Sequence, residues 1–102
     1  MEKSTRVELE MQNGTVELTL NFYELNQLRT KHKKEYDRYF EIAKNGTISD
    51  LDAVDILYVA YLCANQDKMP DVMSYEEFLQ NMLNSRARVW KTYNALNSDL
   101  KN

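Results

Sequence analysis

Apolar and polar residues follow different patterns along this chain of 102 residues, and each pattern predicts a different kind of element. From Leu51 to Ala64, the sequence LDAVDILYVAYLCA places apolar side chains in every direction around a helical wheel. A helix that is apolar all round is typical of a buried position. At about 14 residues it would be about 21 Å long, too short to cross a bilayer. We therefore predict a central buried helix over 49–65, capped by Ser49.

Residues 5–11 and 15–20 alternate between apolar and polar side chains, as β-strands do. The apolar positions of this segment are Val7, Leu9, Met11, Val16, Leu18 and Leu20. Asn13-Gly14 stands between the two halves, and this dipeptide is a strong signal for a two-residue hairpin turn. Such a turn would pair Met11 with Val16 and Glu10 with Glu17. The pattern predicts a β-hairpin over 5–20.

Apolar residues then recur at spacings of three and four, which predicts a long helix over 21–45. Asn21 can cap its beginning, and Asn45-Gly46 can end it. A helix of this length would measure about 34 Å and would span the whole domain. We expect it to reach the domain edge and to overhang it.

A capping box formed by Ser74 and Glu77 begins the last apolar stripe, which continues to Leu100. The pattern over 74–100 is compatible with one helix or with a pair of helices, and it favours a break or bend at Asn84-Ser85. The chain is therefore predicted to be a single domain over 1–102 with a mainly α fold. In this fold an N-terminal β-hairpin is followed by a small bundle of three to four helices around the central buried helix.

The charge balance, the cysteine content and the opening sequence indicate which partners and which compartment to expect for this protein. Sixteen acidic residues against thirteen basic ones give a net charge of −3, whereas nucleic-acid-binding proteins usually carry a basic excess. The single Cys63 cannot form an intramolecular disulfide and fits a reducing cytosol. The opening sequence MEKSTRVELE lacks the apolar run of a signal peptide. We expect a cytoplasmic protein that binds neither nucleic acid nor membrane.

No residue pattern predicts catalysis or metal binding. His32 is the only histidine, and it lies on an apolar helical stripe without a suitably spaced partner. Asp50, Asp52 and Asp55 lack the glycine and glutamate of a calcium loop, and a helix beginning already explains acidic residues. The basic residues around Lys33 alternate with acidic ones, which is typical of a solvated face. We expect no catalytic residue, no cofactor, no metal and no enzymatic activity.

The excess of aromatic residues is the most informative feature of the composition, with seven Tyr, three Phe and one Trp. Tyr, Trp and Met are enriched at protein interfaces. The candidate protein-binding residues are Tyr75, Met82, Trp90 and Tyr93. Packing in the core is the alternative role for Trp90 and Tyr93.

Three segments resemble the small tail assembly chaperones of long-tailed bacteriophages, particularly those of Gram-positive hosts. They are VELTLNFYELNQLRTKHKKEYD, SDLDAVDILYVAYLCANQ and MSYEEFLQNM. The resemblance implies a mainly helical, non-enzymatic protein of the bacterial cytoplasm that is absent from the finished virion. It also implies binding to the tape measure protein and assistance to the tail tube protein, and members of the family are often extended by a programmed frameshift.

Two other roles stay open beside a tail assembly chaperone. A small cytoplasmic adaptor or regulator would bind protein through the hairpin edge or the C-terminal helix. Binding of DNA by a helical module is disfavoured by the acidic balance. Self-association, as a homo-oligomer, is compatible with each of these roles.

Overall fold

A hairpin of two antiparallel strands precedes five α-helices in the computed structural model, which describes residues 6–45, 48–68 and 71–101. The strands are β1, Val7–Met11, and β2, Gly14–Leu18. The helices are α1, Phe22–Lys31; α2, Lys33–Ala43; α3, Asp50–Ala64; α4, Tyr75–Asn81; and α5, Arg86–Lys101. A single 3₁₀ turn, Gln66–Lys68, follows α3. The prediction of a mainly α fold with an N-terminal hairpin is confirmed.

Helix α3 is buried along most of its length and packs against β2, α1, α2 and α5. The side chains of Leu57 and Ala60 are fully shielded from solvent. The backbone of α3 also takes part in packing, because the N–H of Thr19 donates a 3.1 Å hydrogen bond to the carbonyl oxygen of Ala60. At the C-terminal end of α3, the Asn65 amide donates to the carbonyl oxygens of Tyr61 and Glu17.

The register of the hairpin differs from the predicted one by two residues. Met11 pairs with Gly14, so the turn is formed by Gln12 and Asn13 and not by Asn13 and Gly14. Glu17 accordingly stands opposite Glu8. The type I′ turn that Asn-Gly favours needs a positive φ at both of its central residues. Among the described residues only Gly14 has a positive φ, 139°, so the hairpin does not have this turn. Because the shift is an even number of residues, every apolar side chain keeps its face.

Contacts with α4 explain the position of the turn. The backbone N–H of Gln12 donates a 2.8 Å hydrogen bond to the carbonyl oxygen of Asn81, and its side-chain amide reaches the carbonyl oxygen of Met82. Met11 and Met82 form an isolated antiparallel bridge beside β1. These long-range bonds, which no local pattern encodes, hold Gln12 in the turn.

The long helix predicted over 21–45 is wrong, because the structure has two helices that meet at His32. This residue has φ −137° and ψ 63°, so it ends α1 and precedes α2. A straight helix of 23 residues would be about 34 Å long, which is about the longest dimension of the described chain, 33 Å. The break lets Leu28 of α1 and Ile42 of α2 both reach the core. Gly46, which was expected to help end the helix, lies outside the described residues.

Side-chain caps begin three of the helices at the positions that the sequence indicates. The Asn21 side chain accepts a hydrogen bond from the backbone N–H of Glu24. Complete capping boxes join Ser49 to Asp52 and Ser74 to Glu77. Each cap satisfies backbone N–H groups that have no partner within the helix. Between α4 and α5 the chain leaves helical geometry over 82–85, so the C-terminal stripe forms a helix pair.

Candidate protein-binding groove

A concave apolar surface lies where the beginning of α3 meets the corner between α4 and α5. Its floor contains the buried side chains of Val54 and Val89. Its walls are formed by Leu51, Leu79, Met82, Leu83 and Trp90. We call this surface the groove. Leu51 is 69% exposed and Leu79 is 37% exposed, so two leucine side chains of the walls face solvent.

One end of the groove is polar and its groups are bonded to each other. Asp50 Oδ1 accepts a 2.7 Å hydrogen bond from the indole Nε1 of Trp90, and Asp50 Oδ2 accepts one of 2.5 Å from Nε of Arg86. These two donors stabilise the carboxylate and therefore lower the pKa of Asp50. The hydrogen bond from the indole N–H has the larger effect. Because the only polar atom of the indole is bonded to Asp50, Trp90 presents carbon surface to the groove.

Two of the four predicted binding residues, Met82 and Trp90, line the groove together. Tyr93 lies one helical turn after Trp90, and the two rings meet edge to face with centroids 5.3 Å apart. Met82, Trp90 and Tyr93 are all half-buried. They therefore contribute both to packing against the core and to the accessible surface.

Tyr75, the fourth predicted residue, lies outside the groove. It borders a separate depression between α2, α3 and α4, beside Tyr58 and Arg38. Its ring meets that of Tyr58 edge to face, with centroids 5.4 Å apart, and its hydroxyl donates a hydrogen bond to Asp55. Burial, together with this bond to a carboxyl group, raises the pKa of Tyr75 to about 12. Tyr75 is also 41% exposed, so it contributes both to packing and to the accessible surface outside the groove.

Leu51 is the groove residue whose exposure the apolar pattern does not predict. It belongs to the apolar segment that is predicted to be buried all round, but in the first turn of α3 its side chain is 69% exposed. The neighbouring Asp50 and Asp52 were a usable signal, since acidic residues on both sides of a leucine are unusual in a core. Away from the groove, Phe22, Tyr23 and Phe40 are further large exposed apolar side chains.

Two of the remaining candidate groups, Cys63 and Lys33, are inaccessible or paired. Cys63 is buried, and burial raises the pKa of its thiol to about 12, which makes it unreactive. Lys33 in the basic segment forms an ion pair with Asp37 one turn later. Within the described part of the chain, no three His, Cys, Asp or Glu side chains are grouped so as to hold a metal ion.

Searches with the chain against protein-family models, curated proteins and solved structures found no match. Among the residues that the structure describes, no helix combines the length and the apolar character needed to cross a membrane.

Proposed function

We propose that this protein is a non-enzymatic phage tail assembly chaperone that binds the tape measure protein and assists assembly of the tail tube. It would act in the cytoplasm of the bacterial host and be absent from the finished virion. The resemblance of three sequence segments to that family motivates the proposal. The helices are interpreted as a small bundle around α3 that carries the groove on its surface.

The groove is the observation that carries this proposal. An amphipathic helix binds such a surface through apolar side chains at spacings of three, four and seven residues. Trp and Met are common at sites of this kind, and the flexible Met82 can adapt to different side chains. The family resemblance implies that the tape measure protein is long and helical. Its apolar helical stripes would be exposed to water until the tail tube encloses them, so they need a binding partner until then.

A co-expression experiment tests the proposal. The protein is expressed with the tape measure protein encoded near its gene, and the soluble fraction of that partner is measured. We expect the soluble fraction to rise severalfold with the wild-type chain and to fall back with Leu51→Asp, which places a charge on the groove wall. Phe22→Asp is the matched control, because Phe22 is 78% exposed and lies outside the groove.

The result that would contradict the proposal is an insoluble partner in the presence of the folded wild-type chain. Equal loss of solubility with Leu51→Asp and Phe22→Asp would show that the groove is not the binding surface.

A small protein-binding adaptor is the second candidate function. The position of the groove favours binding through the C-terminal helix over binding through the edge of the hairpin. Helix α5 supplies Val89 and Trp90 to the groove. The outer edge of β1 is partly occupied, because Met11 at its end bridges to Met82. The exposed Glu8 and Glu10 on the same strand oppose pairing with another strand. A gene located away from tail genes would favour the adaptor.

A further inference from the structure

We propose that Asp50 is the positioning residue of the groove, because it holds the indole of Trp90 in the orientation that receives a partner helix. This inference rests on the proposed function and adds to it the residue on which the shape of the binding surface depends. Asp50 acts through Trp90. The sequence pattern explains an acidic residue here by the helix beginning alone.

Asp50 joins the beginnings of two helices that are distant in the sequence. It is the first residue of α3, and Arg86 and Trp90 lie one turn apart at the beginning of α5. Each carboxylate oxygen has its own donor: Oδ1 accepts from Nε1 of Trp90 at 2.7 Å, and Oδ2 accepts from Nε of Arg86 at 2.5 Å. An uncharged acceptor in the place of Oδ1 can therefore keep the bond to the indole.

The indole of Trp90 is held on two sides. Its Nε1 edge is bonded to Asp50, and the ring of Tyr93 meets it edge to face, with centroids 5.3 Å apart and an interplanar angle of 80°. Trp90 is half-buried, and it lines the groove. A side chain that is already ordered costs less entropy on binding than one that becomes ordered only in the complex. The two contacts thus prepare the groove wall before a partner arrives.

Asp50 also determines which side chains this wall accepts. An indole has one polar atom, and that atom is a donor only. With Asp50 in place, the donor stays bonded when an aliphatic side chain of the partner covers the ring. If Asp50 is replaced by an apolar residue, the same side chain buries an N–H group that has lost its acceptor, which opposes binding. We therefore expect the segment of the partner that meets Trp90 to be aliphatic.

Fluorescence of the free chain tests the positioning directly, since Trp90 is the only tryptophan. We expect Asp50→Ala to raise the acrylamide quenching constant at least about twofold, because the released ring exchanges between rotamers. Asp50→Asn should stay near wild type, because its amide oxygen still accepts from Nε1. Asp37→Ala should also match wild type, since Asp37 pairs with Lys33 and does not line the groove.

Co-expression with the tape measure protein encoded near the gene connects the positioning to binding. We expect the soluble fraction of the partner to fall severalfold with Asp50→Ala and to be retained with Asp50→Asn. A purely structural Asp50 predicts a different result. Asp50→Asn loses the ion pair with Arg86, so solubilisation would then fall together with the stability of this variant.

A double-mutant cycle identifies the route by which Asp50 acts. Trp90→Phe keeps an aromatic ring but removes the N–H group, so the soluble fraction of the partner should fall here as well. Addition of Asp50→Ala to Trp90→Phe should cause no further loss. Far-ultraviolet circular dichroism verifies that each variant is folded. A wild-type soluble fraction with folded Trp90→Phe would overturn the inference independently of Asp50→Ala.

Equal quenching in Asp50→Ala and wild type would overturn the inference, as would a further loss when Asp50→Ala is added to Trp90→Phe. Solubilisation of the partner by Asp50→Ala as well as by wild type would remove the inference and leave the proposed function standing. Raised quenching in Asp50→Ala, together with a partner that stays insoluble beside the wild-type chain, would remove the proposed function. The control of the Trp90 orientation by Asp50 would then still stand.

Discussion

The hydroxyl of Tyr75 in α4 donates a 2.5 Å hydrogen bond to Oδ1 of Asp55 in α3. The guanidinium of Arg38 in α2 donates to Oδ2 of the same carboxyl group, at 2.6 and 3.0 Å. Asp55 is only 8% exposed, and these bonds explain how an acidic side chain is tolerated within the buried face of α3. One carboxyl group thereby joins three helices that are separate in the sequence.

Removal of the Tyr75 hydroxyl should destabilise this junction. We expect Tyr75→Phe to lower the free energy of unfolding by about 1 kcal/mol, because one hydrogen bond to Asp55 is lost from a partly exposed site. Urea denaturation measures the change. Tyr23→Phe is the matched control, since Tyr23 is 72% exposed, and it should change the free energy by less than about 0.5 kcal/mol. Equal effects of the two variants would contradict a specific role of the Tyr75–Asp55 bond.

Two phenylalanines of opposite burial give a test of the core. Phe78 is fully buried against the rings of Tyr58 and Tyr61. We expect Phe78→Ala to cost about 3–5 kcal/mol, which is a large fraction of the stability of a small domain. Phe22→Ala removes the same atoms from an exposed site and should cost less than about 0.5 kcal/mol. Thermal unfolding should rank the two variants in this order, and a tolerated Phe78→Ala would contradict the described packing.

Cys63 should be unreactive in the native protein. A thiol reagent at about pH 8 should modify Cys63 only after denaturation, because burial shields the sulfur and keeps it protonated. Reaction at the rate of an exposed thiol would contradict the position of Cys63 in α3.

The raised pKa of Cys63 also predicts a pH dependence. Burial raises this pKa from 9.0 to about 12, so folding favours the protonated thiol. That contribution is complete below pH 9.0 and is lost as the pH rises from 9.0 towards about 12. The stability difference between wild type and Cys63→Ala should therefore shrink above pH 9.0. Urea denaturation at several alkaline pH values measures it, and a constant difference would contradict the prediction.

Asp50 gives a pH dependence of the opposite sign. Hydrogen bonds from Trp90 and Arg86 lower its pKa below the ordinary 3.8, so folding favours the ionised carboxylate. This contribution is present above pH 3.8 and is lost as the pH falls through the lowered value. Asp50→Asn should be less stable than wild type at neutral pH, and the difference should vanish in acid. Trp90 fluorescence during urea denaturation measures both.

Asp37→Asn is the control for Asp50→Asn. Asp37 is exposed and pairs with Lys33 within its own helix, and such pairs contribute little to stability. The Asp37 variant should therefore match wild type at both neutral and acid pH. A loss for Asp37→Asn as large as that for Asp50→Asn would indicate a general charge effect in place of the local bonds.

Local patterns determined the elements and their caps. The alternation around Leu9 predicted the hairpin, and Asn21, Ser49 and Ser74 cap helices as their local sequence indicates, because a cap needs only residues three positions apart. Residue type alone makes Met82 and Trp90 binding candidates, and both line the groove. The sequence by itself also indicated that Cys63 is buried, since its neighbours are apolar on all sides.

Only the tertiary structure decided the features that depend on distant residues. The hairpin register follows from bonds between Gln12 and Asn81, and both registers satisfy the alternation equally. The apolar stripe runs through His32 without interruption, so it does not indicate the break there, which accompanies burial of Leu28 in α1 and Ile42 in α2 in one core. The groove, with Leu51 exposed on its wall, exists because α3 begins beside the corner between α4 and α5. Periodicity states which side of a helix is apolar, but the partners of that side are set by packing.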